Sequence, residues 1–284
     1  MNILEFETEF KRKIIASGND FTTAKVYGNC IHHFLEHHKD RYDSPLHITF
    51  RDAEDYVIHL VDAGYSASYI NQFVASVKRF YELNGQTQKC VKLQYRNDPP
   101  KTPNVLTHDE CMAMCNAPIY IKHRAIINLL YYAGLRRSEL LDLKIEHISK
   151  DGKLTIIMGK FGKSRVVCVP EKVMVLLREY FKECSPKIYL FNGEKNRPQY
   201  SAKSVEAIIK NTARLCGIHK RTHPHLMRTS RATILLDNGA SMGYVSDYLG
   251  HADIKTTDKY YHKLTIKSMQ NQFEMIDEKL EKAA

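Results

Sequence analysis

Along roughly the first eighty residues, hydrophobic side chains recur at three- and four-residue steps, the repeat of a helix with one buried face. Ile3, Phe6, Phe10 and Ile14 make one stripe, and Tyr27, Ile31, Phe34 and Leu35 a second. Tyr56, Val57 and Leu60 make a third, and Ile70, Phe73, Val74, Val77 and Phe80 a fourth. Gly18-Asn19, the proline-bearing stretch from Tyr42 to His47, and Gly64 punctuate them, so the pattern predicts a bundle of four amphipathic helices.

The periodicity lapses between Asn84 and Pro103, where Asn97-Asp98-Pro99-Pro100-Lys101-Thr102-Pro103 is too rich in proline to stay helical. We place a linker at 97–106, a helical domain at 1–96 before it, a second domain at 107–264 and a terminal helix at 265–284. The second domain opens on Thr107-x-x-Glu110, a capping-box pattern, and a helix over about Tyr120 to Ala133 stops at Gly134. Leu154–Met158 and Arg165–Val169 are β-branched runs flanking Gly159-Lys160-Phe161-Gly162-Lys163-Ser164, which predicts a hairpin with a basic tip. Helical patterns return near 172–183, 201–216, 225–238, 241–249 and 265–282. The expected fold is mainly α with a small β-sheet.

Charge adds a partner class. Forty-two Lys and Arg against 32 Asp and Glu give a formal +10 with His neutral, which favours a polyanion. No stretch approaches the roughly 20 apolar residues of a membrane span, and the N-terminus lacks the basic and apolar segments of a signal peptide. The expectation is a soluble cytoplasmic protein without a membrane partner. Seven cysteines without Cys-x-x-Cys pairs suggest neither a disulfide framework nor a zinc ribbon. Cys111 and Cys115 read as helix packing, and the i, i+4 histidine pairs among His32, His33, His37 and His38 as a solvated helix face rather than a metal site.

Several residues can carry chemistry, and each has a bland alternative. Arg136 and Glu139 are i, i+3, so on a helix the carboxylate can hold the guanidinium, or the two form an ordinary surface pair. Lys160 at the hairpin tip, with Lys163 and Arg165 near it, can reach a phosphate or a leaving oxygen, or be a solvated turn lysine. His225 and Arg228, also i, i+3, set a group that exchanges protons near neutral pH beside a permanent cation. His251 follows Leu249-Gly250, and Tyr260 comes nine residues later with Tyr261 beside it; most of the 17 tyrosines must serve packing.

As a set, Gly-Leu-Arg136-x-x-Glu139, Gly-Lys160 in a hairpin, His225-x-x-Arg228, Leu-Gly-His251 and Tyr260 in Tyr-Tyr-His resemble, in order and spacing, the motifs of the tyrosine recombinase (phage integrase) family. The resemblance spans the chain: residues 1–96 look like that family's helical, SAM-like core-binding domain, and the remainder like its α+β catalytic domain. It implies a site-specific DNA recombinase, Xer-like or the integrase of a mobile element, that cuts and rejoins DNA through a 3′-phosphotyrosine. By that resemblance Arg136, Lys160, His225, Arg228 and His251 surround the scissile phosphate, Glu139 supports Arg136, and Tyr260 is the nucleophile. Tyr261 is the rival, but the step from His251 matches Tyr260. The family often has a second His after the Arg of His-x-x-Arg and an aromatic two positions further on; Thr229 and Arg231 stand there, which bears on packing.

The resemblance further implies double-stranded DNA carrying specific sites as partner, a homotetramer on synapsed DNA with a monomer compatible with the free state, and neither metal nor other cofactor. Lys78, Arg79, Lys163 and Arg165 are candidates for docking DNA. The competing readings are a type IB topoisomerase-like relaxase and a catalytically silent DNA-binding regulator. In the tail, Ile266, Met269, Phe273, Ile276 and Leu280 form an apolar helical stripe. Family resemblance implies that this helix docks on a neighbouring protomer; packing on its own domain is the alternative.

Overall fold

Four helices form where the four stripes predict them: α1 (Ile3–Ala16), α2 (Phe21–His38), α3 (Phe50–Asp62) and α4 (Ala67–Leu83). Each starts at a short polar side chain, Asn2, Asp20, Thr49 or Ser66, which accepts a hydrogen bond from a backbone N–H of the first turn. Their apolar faces close on one core containing Phe10, Ile14, Ile31, Phe34, Phe73 and Phe80. The computed structural model describes residues 2–90, 92–96, 104–158, 163–193 and 198–250, with only the backbone at Met158 and Lys163. The chain divides into two compact units between Lys101 and Thr102.

In the first unit the start of α3 is held by a buried carboxylate. Asp52, 3% exposed, accepts from the Thr49 backbone N–H (2.9 Å), the Tyr42 hydroxyl (2.6 Å), the Arg41 guanidinium (2.6 Å) and the Thr49 hydroxyl. Burial works to raise its pKa, but these hydrogen bonds and the Arg41 charge outweigh it and hold the group at about 2.

The histidines of α2 are not simply solvated. His38 is buried with its Nδ1 2.9 Å from the Phe34 carbonyl oxygen, and His37 lies against Tyr56 and His59 of α3 at ring separations of 4.9 and 5.1 Å. The helix turns this polar edge toward α3, which an i, i+4 pattern alone does not reveal.

The second unit is built around α6 (Ile121–Tyr132), in which every residue from Ala125 to Tyr132 is buried. Asn128 is the polar exception, and its amide donates to the carbonyls of Cys115 and Arg124, both at 2.9 Å. The predicted capping box forms at α5 (His108–Asn116), where Thr107 and Glu110 satisfy each other's backbone N–H. After α6 come α7 (Arg137–Asp142), β1 (Lys153–Met158), β2 (Lys163–Cys168), α8 (Glu171–Cys184), α9 (Ala202–Leu215), α10 (Pro224–Asp237) and α11 (Met242–Leu249).

The two strands form an antiparallel hairpin with Ile156 opposite Arg165 and Leu154 opposite Val167. Side chains alternate across it: Leu154, Ile156, Arg165 and Val167 are buried, whereas Ile157 and Val166 face solvent. An arginine therefore occupies a core-facing strand position, and a valine the outer one. The fold is mainly helical with this one small sheet among the described residues.

Candidate active site

Burying the C-terminus of α6 sets the geometry of the site, because the last carbonyls of a helix have no partner within it. Gly134 follows with φ of +57°, a left-handed conformation that ends helices at little cost only in glycine. A Cβ there would also meet the Tyr248 ring at 2.8 Å. The chain then plunges through the fully buried Leu135 and restarts as α7, with Arg136 as the residue preceding its first turn.

Arg136 and Glu139 are thus not two residues on one helix face. Glu139 is the third residue of α7 and reaches back: its carboxylate accepts from the Arg136 backbone N–H (2.8 Å) and from the Arg136 guanidinium (2.7 Å). The same carboxylate receives a two-pronged contact from Arg165, with Nη1 and Nη2 each at 2.8 Å. Arg165 Nε donates in turn to the Tyr248 carbonyl at 3.1 Å.

Arg165, a candidate for docking DNA, is 8% exposed, and its guanidinium turns inward onto Glu139 and the Tyr248 carbonyl. The sign was present in the strand pattern, since Arg165 shares its face with Val167. Burial acts to raise the Glu139 pKa, but hydrogen bonds and charge from Arg165, with further hydrogen bonds from Arg136, hold it at about 2.

Arg228 enters from α10. His223 precedes the helix and accepts the Leu226 N–H, Pro224 occupies the first turn, and His225 and Arg228 follow one turn apart. Arg228 is 1% exposed; its guanidinium donates to the Gly134 carbonyl and, at 2.5 Å, to the Leu249 carbonyl, and lies 3.9 Å from Glu139. Leu249 is the last residue of α11, which Gly250 closes with φ of +63°. Both glycine motifs, Gly134-Leu135-Arg136 and Leu249-Gly250-His251, therefore present a backbone carbonyl to one buried arginine. Burial and the nearby Arg136 charge lower the Arg228 pKa to about 10, with Glu139 opposing, so the group stays cationic at neutral pH.

In this group of four side chains, three guanidiniums surround one carboxylate. Glu139 and Arg165 cancel one another, and the remaining charge belongs to Arg136 and Arg228. Arg136 keeps its side chain 39% exposed, so the cluster has an open edge. His225 stands at that edge, exposed and stacked on His223 at 6.4 Å. Its pKa is lowered, first by the protein crowded behind it and then by Arg228, His223 and Arg136. A neutral imidazole, able to accept a proton, thus stands beside a cationic pair.

A basic concavity of about 350 Å³ lies where α9 runs into α10, lined by Lys210, Arg214, His219, Lys220 and Arg221. Lys220 is committed to Glu110 (2.6 Å) and the Val105 carbonyl (3.1 Å). Sequence reasoning missed this feature, although the run His219-Lys220-Arg221 ahead of His225 signalled it. Among the DNA-docking candidates, Arg79 pairs with Glu82 at 2.7 Å, and the Lys78 ammonium sits 4.8 Å over the Tyr95 ring.

Lys160, His251, Tyr260 and the tail 265–284 lie outside the described residues, as does the Lys163 side chain. Among the described residues, no group of His, Cys, Asp and Glu is arranged to hold a metal, and no helix is long and apolar enough to cross a membrane.

The sequence profile of the Phage integrase family matches residues 104–266. The chain is 32% identical to the tyrosine recombinase XerA of Pyrococcus furiosus, over 94% of this chain and 92% of that protein. It is also 32% identical to the tyrosine recombinase XerD of Staphylococcus aureus, over 80% and 84% respectively. In three dimensions it resembles the XerH site-specific recombinase bound to a palindromic difH substrate in a post-cleavage complex. That match has a TM-score of 0.75 at 19% identity and covers 94% of this chain and 85% of that one.

Proposed function

The chain belongs to the phage integrase family and is a tyrosine-type site-specific DNA recombinase; from that premise we propose how its residues divide the work of cutting and rejoining a strand. The carrying observation is the buried Arg228, held by two backbone carbonyls beside Arg136 at the open edge of the cluster. A phosphodiester has one negative charge, and attack by a phenolate adds a second in the five-coordinate transition state. Two fixed guanidiniums suit the second state better than the first, which is the condition for catalysis rather than mere binding.

In this reading Tyr260 attacks the scissile phosphorus in line. Its proton passes to His225, whose pKa is lowered first by desolvation and then by the neighbouring cations. Arg136, Arg228 and His251 bind the nonbridging oxygens, doing the charge neutralisation that a divalent ion performs in many phosphoryl-transfer enzymes. Lys160 gives a proton to the departing 5′ oxygen. The P–O5′ bond breaks as the bond to Tyr260 forms, leaving a 3′-phosphotyrosine and a free 5′ hydroxyl. Attack by the 5′ hydroxyl of another strand reverses the step and completes the exchange.

Double-stranded DNA is the substrate. The basic concavity supports a docking role for Arg214 and Arg221, while residues 1–96 act as the core-binding domain and 107–264 as the catalytic one. Exchange between two duplexes takes four active sites, so a cyclic tetramer assembles on DNA, with the segment 265–284 linking neighbours. The likeness to XerA and XerD favours an Xer-like plan.

A nicked suicide duplex, which loses its 5′ hydroxyl on cleavage, tests the assignment by trapping covalent protein–DNA adducts. Tyr260→Phe should form none, and Tyr261→Phe should still form them. Arg136→Ala and Arg228→Ala should cleave about 10²- to 10³-fold more slowly with smaller losses in binding. Adducts from Tyr260→Phe would remove that residue from the mechanism, and equal losses of binding and rate would make the arginines docking groups.

A further inference from the structure

Tyr248 is a half-buried tyrosine that the mechanism does not use, and it meets the site at several points. Its hydroxyl lies 3.0 Å from the Tyr132 carbonyl and 3.3 Å from the Tyr131 carbonyl, the orphaned acceptors at the end of α6. Its ring fills the space beside Gly134 that a Cβ would need. Its own carbonyl holds Arg165, and the carbonyl of the next residue, Leu249, holds Arg228. The last turn of α6 is thus capped by a side chain from α11, across more than a hundred residues of sequence.

Arg231 reinforces this cap. Its guanidinium lies 5.2 Å over the Tyr131 ring and 5.6 Å over the Tyr132 ring, a cation at the negative end of α6. It also acts on the Tyr248 hydroxyl, opposing the upward push of burial, which leaves that phenol at about 12. Tyr248 therefore stays a protonated donor at any working pH.

We propose that Tyr248 and Arg231 form a positioning clamp that fixes the Gly134 turn, and through the Gly134 carbonyl and the start of α7 fixes Arg228 and Arg136 for the reaction. The clamp touches no substrate. Removing the Tyr248 hydroxyl leaves the ring packed against Gly134 but takes the donor from the α6 carbonyls, so the turn and the Arg228 anchor gain freedom. A displacement of about 1 Å in such a constellation costs on the order of a hundredfold in rate.

The inference rests on the recombinase reading, and the test separates the two. With the full chain on the suicide duplex, Tyr248→Phe should slow adduct formation about 10- to 100-fold, with site affinity within about threefold of the parent. In an Arg228→Ala background the same substitution should cost clearly less, because the arginine it positions is gone. A residue that only stabilises the fold would multiply the loss equally in both backgrounds, and that result would overturn the clamp. Arg231→Ala provides an independent release of the same contact, and its effect should be less than multiplicative with that of Tyr248→Phe. Parent-like cleavage by Tyr248→Phe would also overturn the proposal while leaving the recombinase intact; absence of any adduct from the parent chain would remove the reading beneath it.

Discussion

Two buried carboxylates, one in each unit, sit in nearly equal company and serve different ends. Asp52 and Glu139 are 3% and 7% exposed, each accepts several hydrogen bonds, and each is held at a pKa of about 2. Around Asp52 the donors are a hydroxyl pair, a backbone N–H and one arginine that is itself largely exposed. Charge there balances, and the network fastens the start of a helix. Around Glu139 stand three arginines, of which one is 1% exposed. What marks a site is therefore not a depressed pKa or a buried ion pair, but a local surplus of one sign held rigidly at an open edge.

The strongest way to break this distinction is to remove each acid. Glu139→Ala strands Arg165 in the interior and should destabilise the second unit by about 3–5 kcal/mol, the range for breaking a buried charge network from one side. Asp52→Ala leaves neutral donors and an arginine that can turn to water, so about 1–3 kcal/mol is expected in the first unit. Chemical denaturation followed by amide exchange in each unit measures both; equal costs would erase the contrast.

Acid sharpens it next. A carboxylate with a depressed folded-state pKa adds stability that is fully present above its unfolded value and is lost as pH falls toward the folded one. For Glu139 that window runs from about 4.5 down to about 2 and is worth on the order of 3 kcal/mol. The Asp52 window starts lower, near 3.8. Acidification through the Glu139 window should therefore weaken the second unit, and Glu139→Gln should flatten its stability profile between pH 5 and 2, roughly the span of the titration. A profile unchanged by Glu139→Gln would refute the assignment.

The smallest effects separate two surface cations, one in each unit. Arg79→Ala removes the half-buried partner of the exposed Glu82 and should change stability by no more than about 0.5 kcal/mol. Arg221→Ala, in the basic concavity, should reduce the slope of DNA affinity against salt by about one phosphate contact. Chemical denaturation reads the first and salt titration of DNA binding the second; a larger slope change for Arg79→Ala than for Arg221→Ala would reverse the placement of the docking surface.

Much of this was legible in the sequence, for identifiable reasons. The four helices of the first unit follow from stripes such as Ile70, Phe73, Val74, Val77 and Phe80, all of which are buried; the Thr107–Glu110 cap and the hairpin follow from equally local patterns. Arg136, Glu139, His225 and Arg228 were readable as spaced pairs, although the pairing of Arg136 with Glu139 is a reach back to a helix start. What spacing could not show depends on contacts remote in sequence. Arg165 meets Glu139 across 26 residues and Tyr248 across 83, and only its place opposite Ile156 on the inner hairpin face hinted that it turns inward. Tyr248 is one of 17 tyrosines, with no local mark to set it apart.

The bonds of Arg228 to Gly134 and Leu249 also bear on the order in which the molecule is made. One spans 94 residues of chain and the other 21, and such distant closures come late in folding because the intervening chain must be ordered first. During synthesis the N-terminal bundle, whose helices close on neighbours nearby in sequence, is free to fold while α11 is still unmade. Until Leu249 has left the ribosome, its carbonyl cannot anchor the arginine, so a nascent chain has its first unit before it has a complete cation cluster. A protein able to break DNA strands thus acquires that capacity among its last tertiary contacts.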